Sequence, residues 1–248
     1  MFCIGLAQFL TFSAMALAIL ANIGQITQNI VARHIRFVEL NTSGFQNALE
    51  AAAPGANVGN IYATNQGAPE LQGNGIKLNY QWGLYNFCAG DGTSGARSCT
   101  DRSFGFEWRP LDALERDAPS SVQSQIPNLI NQGTFTSSDY LGRFSKAGFY
   151  LIFVGTVLTG LSFIIGFLAH RFAFAFAALS ALLGAACLGV GAAVNTAIYT
   201  KARDSVSGQY GLELEYGNAL WFIWAAFGAT ALAIVPYIIS CFTGRSKY

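Results

Sequence analysis

Four long apolar stretches, each without an ionised side chain, divide the sequence. A bilayer hydrocarbon core about 30 Å thick needs about 20 residues of helix with few or no charges. Each stretch therefore predicts one membrane-spanning helix. These helices are expected at residues 4–28, 147–168, 172–198 and 218–241.

The charges between these stretches indicate an orientation. Arg171, Arg245 and Lys247 lie on one side of the predicted membrane with no acidic residue beside them, which is typical of the cytoplasmic side. We therefore expect both termini in the cytoplasm. The segments are then a first transmembrane helix (1–32), an extracellular disulfide-stapled segment (33–146), a second and a third transmembrane helix (147–169 and 172–200), a second extracellular loop (201–215), a fourth transmembrane helix (216–244) and a short cytoplasmic tail (245–248).

The first apolar stretch has two interpretations. Its Ala16-Leu17-Ala18 resembles a signal-peptide cleavage site, so a cleaved leader is one alternative. No basic residue precedes the stretch, however, and its apolar run is longer than that of a signal peptide. We expect an uncleaved helix.

Apolar and polar residues alternate in part of the segment between the first two helices. From 76 to 85 every second residue is apolar or aromatic, which predicts a half-buried strand. The same alternation predicts a second strand at 103–108. Because a two-stranded hairpin alone is marginal in water, we expect a third strand, at 35–40.

Two cysteines bracket a glycine-rich turn beside the first of these strands. Cys88 and Cys99, with ten residues between them, suit a disulfide across a hairpin, and such a bond persists in an oxidising exterior. A reduced structural pair inside the cell is the alternative. We expect Trp82, Leu84 and Tyr85 to pack beneath the disulfide, with Gly83 completing this motif core.

The rest of the segment predicts short helices and loops. Residues 42–75 are rich in Gly, Asn and Ala, which indicates loop with one helical turn near 45–53. The spacing of apolar residues over 111–130 favours short amphipathic helices, broken at Pro119 and Pro127.

Three positions are candidates for covalent modification. Asn41-Thr42-Ser43 is a glycosylation sequon in the predicted exterior segment. Cys3 and Cys241 are expected near the inner membrane surface, where palmitoylation takes place. The alternative for both cysteines is a small apolar residue at a helix end.

The third predicted helix carries a small residue at every fourth position. Small residues let helix backbones approach closely, which matters because lipid provides no hydrophobic drive for helix association. Packing within the chain and packing against another copy both fit this pattern. The stripe comprises Ala173, Ala177, Ala181, Ala185, Gly189, Ala193 and Ala197.

Composition excludes several classes of function. Only 11% of the 248 residues are charged, against roughly 25% in soluble domains. A net charge of +1 without a basic cluster gives no basis for binding nucleic acid. The predicted spans hold no Asp, Glu, Lys, Arg or His, which argues against a pump or coupled transporter. With no metal-ligand cluster, phosphate loop or nucleophile–base pair, we expect neither an enzyme nor a cofactor.

The motif and layout resemble a known group of proteins. Gly83-Leu84-Tyr85, two residues, Cys88, ten residues and Cys99 are similar to the claudin superfamily pattern, which has Trp where Tyr85 stands. Asn41 to Gly44, the cysteine hairpin and residues 140–145 resemble the fungal Sur/PalI family of claudin-like plasma-membrane proteins. The expected fold class is membrane α-helical: a four-transmembrane-helix bundle with a small extracellular antiparallel β-sheet.

The resemblance implies a function. Such a protein would be a non-enzymatic, multi-pass plasma-membrane component that organises stable membrane domains of the eisosome or furrow type, with effects on the cell wall and endocytosis. Its partners would be membrane lipids, further copies of itself or other membrane proteins. An accessory protein of ambient-pH signalling, a protein of cell fusion and a channel component are the alternatives.

Overall fold

The computed structural model describes residues 2–27, 29–52, 59–130, 133–168, 171–208 and 210–243. The side chains of residues 2, 3, 171 and 241–243 are outside that description. The chain forms two compact units. One unit comprises Met1–Asn22, Ala147–Ala193 and Ala219–Tyr248, and the other comprises Ile23–Lys146 and Val194–Asn218.

Four long helices confirm the four predicted spans. They are α1 (Phe2–Ile23), α7 (Ser138–Gly166), α8 (Arg171–Val206) and α9 (Asn218–Thr243), and each is long and apolar enough to cross a membrane. Their ends differ from the prediction. α1 ends five residues before residue 28, since Gln25 adopts a positive φ of 60° just beyond it. α7 begins nine residues before residue 147 and α8 extends eight residues beyond 198, because a helix does not stop where charges begin.

Small residues line the packed face of α8 in the helical unit. Ala177 and Ala181 are fully buried and Ala185 nearly so, while Gly189 lies against the Phe227 ring. The predicted stripe fails at Ala193, which is exposed. Four residues advance a helix by about 40° more than one turn, so a stripe of period four rotates away from the packed face. The buried face continues instead through Leu188, Ala192 and Asn195.

Hydroxyl and amide side chains link neighbouring helices of this unit. Ser162 Oγ donates to the Ala177 carbonyl oxygen over 2.9 Å, which joins α7 to α8. Asn22 Nδ2 donates to Thr156 Oγ1 over 3.0 Å, which joins α1 to α7. These bonds satisfy polar groups that a hydrocarbon environment would leave unpaired.

The second unit is built on a five-stranded antiparallel sheet. Its strands are β1 (Val38–Asn41), β2 (Asn79–Trp82), β3 (Phe87–Gly90), β4 (Arg97–Cys99) and β5 (Glu213–Tyr216), in the order β4-β3-β2-β1-β5. β1 and β2 confirm the strands expected at 35–40 and 76–85. β5 was not predicted; its first three residues lie in the predicted second extracellular loop (201–215) and Tyr216 lies in the predicted fourth transmembrane segment.

The strand expected at 103–108 was wrong. Phe104 is 61% exposed and Gly105 has a φ of +75°, so the chain turns there instead of extending. The alternation of aromatic residues in this stretch therefore does not belong to a strand. The partner of β2 is β3, which contains the first cysteine of the pair.

Short helices cover the remaining part of this unit. They are α2 (Ile30–His34), α3 (Phe45–Ala52), α4 (Pro110–Asp117), α5 (Ser120–Gln123) and α6 (Ile126–Leu129), with a 3₁₀ turn at Thr134–Thr136. The helical turn near 45–53 and the amphipathic helices over 111–130 are confirmed. Pro119 separates α4 from α5 as expected, whereas Pro127 lies in the first turn of α6, where proline is tolerated.

Candidate functional site

A disulfide joins Cys88 of β3 to Cys99 of β4. The Thr100 amide donates to the Phe87 carbonyl oxygen on one side of this pair, and the Asp91 amide donates to the Ala96 carbonyl oxygen further along, each over 2.9 Å. The cysteines therefore occupy a non-hydrogen-bonded position of the ladder, where facing residues approach most closely. Their Cα atoms are 3.9 Å apart, and the bond fixes the register of the short edge strand β4.

The sheet has two chemically different faces. Cys88 pairs with Gln81, and Gln81 pairs with Glu39, so these three side chains share one face. Trp82 pairs with Phe87 on the other face, because successive residues of a strand point to opposite sides. The expectation that Trp82 packs beneath the disulfide was therefore wrong. The alternation alone gave no register between the tryptophan and the cysteine.

The other two motif residues lie between strands. Leu84 is buried and Tyr85 is half-buried, in the connection from β2 to β3. Burial raises the pKa of the Tyr85 hydroxyl. The Tyr85 carbonyl oxygen accepts a hydrogen bond from the Ser103 amide over 2.8 Å, which holds the chain beyond β4 against this connection.

Aromatic rings form the core of the apolar face. The Trp82 ring stacks on Tyr80, with centroids 5.8 Å apart, and meets Phe87 at the same distance. Trp108 contacts Trp82 edge to face, and Tyr199 packs edge to face on Trp108 at 4.7 Å. Such offset and T-shaped pairs add to the energy of burial.

A buried arginine organises the disulfide face. Arg97 Nη1 donates to Gln25 Oε1 and to Gln81 Oε1, each over 3.2 Å, and burial lowers the Arg97 pKa, with a smaller effect from Arg33. Gln81 Nε2 in turn donates to Glu39 Oε1 over 3.0 Å and to Thr93 Oγ1 over 2.7 Å. This network ties the hairpin turn to the segment that follows α1.

The motif glycine lets two chain segments touch. A Cβ on Gly83 would lie far inside van der Waals contact with the Gly24 carbonyl oxygen. No larger residue fits there without moving one of the two segments. Gly83 is therefore a packing requirement of this part of the chain.

The family model of the SUR7/PalI family matches residues 3–243, nearly the whole chain. The chain belongs to the SUR7/PalI family. The expected membership of the Sur/PalI family is confirmed. None of the curated proteins matches the chain. Membership and four apolar helices together identify a multi-pass membrane protein.

A cluster of ionisable groups is buried in the sheet unit of this SUR7/PalI chain. Tyr80 Oη donates to Asp117 Oδ2 over 2.7 Å, and Lys77 Nζ donates to the Asn65 carbonyl oxygen over 3.0 Å. Asp117 and Lys77 are each only 1% exposed. Burial raises the pKa of the Asp117 carboxyl, and it raises that of Glu70 as well.

Sequence reasoning missed the residues of this cluster and of the arginine network. Gln25 fell in the predicted first membrane-spanning helix, and Lys77, Arg97 and Asp117 fell in a predicted strand, turn and amphipathic helix. Burial was detectable only from the fold that encloses them. The alternation even predicted that Lys77, between two apolar residues, would face solvent, whereas it is 1% exposed.

The predicted modification sites have different outcomes. Asn41 is half-buried in β1, and its Oδ1 accepts a hydrogen bond from the Ser43 amide over 2.8 Å; its glycosylation stays a prediction. The side chains of Cys3 and Cys241 are outside the described residues, so their palmitoylation stays a prediction too. Among the residues described, no group of His, Cys, Asp or Glu is placed to hold a metal ion.

Proposed function

We propose that this protein is a non-enzymatic plasma-membrane component that organises stable membrane domains of the eisosome or furrow type, and thereby affects the cell wall and endocytosis. Membership of the SUR7/PalI family supports this proposal. The domains would form by lateral association of copies through the sheet unit, which we place outside the cell.

The observation that carries the proposal is the position of β4 at the edge of the sheet, where β3 is its one neighbour among the strands that the structure describes. Ser98 and Thr100 occupy hydrogen-bonded positions opposite β3. Because such positions alternate along an antiparallel ladder, the main-chain N–H and C=O groups of Arg97 and Cys99 point away from β3, toward the edge. An edge strand of this kind is a template for pairing with another chain. The disulfide holds β4 in place, which keeps the template intact.

A cavity beside this edge supports the same proposal. Its volume is about 360 Å³, and Ile26, Asn86, Cys99 and Arg102 are among its lining residues. Asn86 is 1% exposed, and its Oδ1 has no hydrogen-bond partner among the described residues. A buried acceptor without a partner is costly. An amide N–H from a strand added at β4 would satisfy it once the Asn86 side chain turns toward the cavity.

The opposite edge is less suited to self-association. Glu213 and Glu215 of β5 are exposed, so two β5 edges from identical chains would bring like charges together. Charged side chains on an edge strand discourage pairing. We therefore assign lateral association to β4, as a two-fold contact between identical edges.

The test combines localisation with stoichiometry. A fluorescently tagged copy expressed in fungal cells beside a furrow marker should form immobile patches that overlap the marker, with single-molecule brightness above that of a monomer. Diffuse plasma-membrane fluorescence at monomer brightness would contradict the proposal.

A second function, accessory to ambient-pH signalling, is favoured by one observation. Asp117 and Glu70 are buried carboxyls with raised pKa values in the sheet unit, so their protonation can respond to pH above the ordinary carboxyl range. A deletion strain separates the two functions. Failure confined to alkaline medium supports the accessory role, whereas wall or osmotic defects at all pH values support membrane organisation.

A further inference from the structure

A second cavity of the sheet unit is lined by aromatic and charged side chains. Its volume is about 180 Å³, equivalent to about six water molecules at about 30 Å³ each. Aromatic rings of the apolar sheet face contribute to the wall. They are Trp82, Phe87 and Phe106. Trp82 and Phe87 are only 1% and 5% exposed, so the half-buried Phe106 ring, 6.5 Å from Phe87 between ring centroids, is the one of the three that a ligand can contact.

Charged side chains of both signs also line this cavity. Glu107 and Arg109 are bound to each other, with Glu107 Oε2 accepting from Arg109 Nη2 over 2.8 Å. The carboxylate of Asp101 and the guanidinium of Arg116 make no hydrogen bond or ion pair with any residue that the structure describes, and both residues are exposed. One free acceptor and one free donor therefore lie beside an aromatic wall.

We propose that this cavity binds one neutral sugar unit of a glycan. The C–H face of the sugar ring would pack on the Phe106 ring, and its hydroxyls would donate to the Asp101 carboxylate and accept from the Arg116 guanidinium. A charged ligand would meet both signs of charge. An apolar ligand would leave the free donor and acceptor unused. The volume admits a single ring, so the rest of the glycan extends into solvent.

The sugar site adjoins the assembly contact proposed at β4, because Thr100 and Asp101 line both cavities, but other residues belong to only one of them. Phe106 and Arg116 line the aromatic cavity but not the cavity beside Cys99. Substitutions at these two residues therefore test sugar binding without touching the residues assigned to lateral association. A variant that loses sugar binding but still assembles can therefore be distinguished from a variant that binds sugar but no longer assembles.

The experiment measures saturation transfer by NMR from the full chain in lipid nanodiscs to three soluble glycans: laminarihexaose, mannohexaose and chitohexaose. At least one glycan should receive saturation, strongest at ring C–H protons. Phe106→Ala and Arg116→Ala should each weaken its binding about tenfold, the equivalent of about 1.4 kcal/mol.

Matched variants and a folding check complete the design. Phe104→Ala removes an exposed aromatic two residues from Phe106 that does not line the cavity, and it should bind as the parent does. Arg116 is exposed, so its variant keeps the test valid if Phe106→Ala unfolds. Absence of saturation for all three glycans, or equal binding by the Phe104, Phe106 and Arg116 variants, would overturn the proposal.

Discussion

Cys88 and Trp82 lie on opposite faces of one sheet, although both belong to the same sequence motif. Cys88 shares its face with Gln81, Glu39 and the network of Arg97, while Trp82 shares its face with Phe87. The motif therefore serves two purposes. Its cysteine fixes an edge strand, and its tryptophan builds the aromatic core that holds the sheet together.

Loss of the disulfide should destabilise the sheet unit. Cys88→Ser removes a constraint worth about 2–4 kcal/mol, and we expect a lower thermal unfolding midpoint in nanodiscs together with retention in the secretory pathway. Cys187→Ser is the matched control, since Cys187 is a free cysteine. Normal surface delivery of the Cys88 variant with an unchanged midpoint would show that the staple is dispensable.

Truncation of Trp82 should destabilise the protein more than truncation of an exposed tryptophan. Trp82 is 1% exposed, and Trp82→Ala should cost about 3–5 kcal/mol as a large-to-small core substitution. Trp221→Ala removes a tryptophan that is 62% exposed and should have a smaller effect. The measurement is thermal unfolding of both variants in nanodiscs, and equal shifts would argue against an aromatic core.

A methyl group at the motif glycine should separate two packed segments. Gly83→Ala places a Cβ against the Gly24 carbonyl oxygen, so we expect a lower unfolding midpoint and a lower yield of folded protein. Gly67→Ala is the control, because the nearest atom to its added Cβ is 3.4 Å away. If both variants melted alike, the close approach at Gly83 would have no energetic importance.

The buried carboxyl of Asp117 should make stability fall as pH rises. Its pKa is raised by burial, so the folded state binds more protons than the unfolded state between the two pKa values, and stability is greatest below the unfolded value of about 3.9. The loss occurs as the pH rises through the raised pKa. Glu70, also raised by burial, acts in the same direction.

Asp117→Asn tests this assignment. The variant should show a smaller decline of the unfolding midpoint from about pH 4.5 to about pH 7.5, a window above the ordinary carboxyl pKa values. Glu107, whose pKa is lowered chiefly by its hydrogen bonds to Lys146 and Arg109, loses its contribution only as the pH falls below its ordinary value. An unchanged pH dependence in Asp117→Asn would exclude the buried carboxyl as its source.

Charge gaps and strand periodicity predicted the framework of the fold but not its register. The absence of ionised residues identified four helices because the hydrocarbon core excludes charge, yet the same signal misplaced the start of α7 at Ser138. Alternation identified β2 correctly. It could not show that Gln81, and not Trp82, faces Cys88, since pairing depends on contacts distant in sequence.

The candidate sites were less predictable than the framework. The disulfide was accessible from cysteine spacing alone. β5 is only four residues long and was not predicted, although Leu212, Leu214 and Tyr216 alternate with Glu213 and Glu215. The sugar cavity combines residues from β2, β3, the segment leading to α4 and α4 itself. Only the folded sheet unit brings them together.

Site-specific photo-crosslinking tests the central claim, lateral association through the β4 edge, most directly. A benzoylphenylalanine introduced in place of Arg102, which lines the cavity beside Cys99, should yield crosslinked dimers in the membranes of intact cells. The same probe in place of Glu213 of β5 serves as the control and should yield mostly monomer. Monomer from both positions, or dimers from position 213 alone, would contradict assembly through β4.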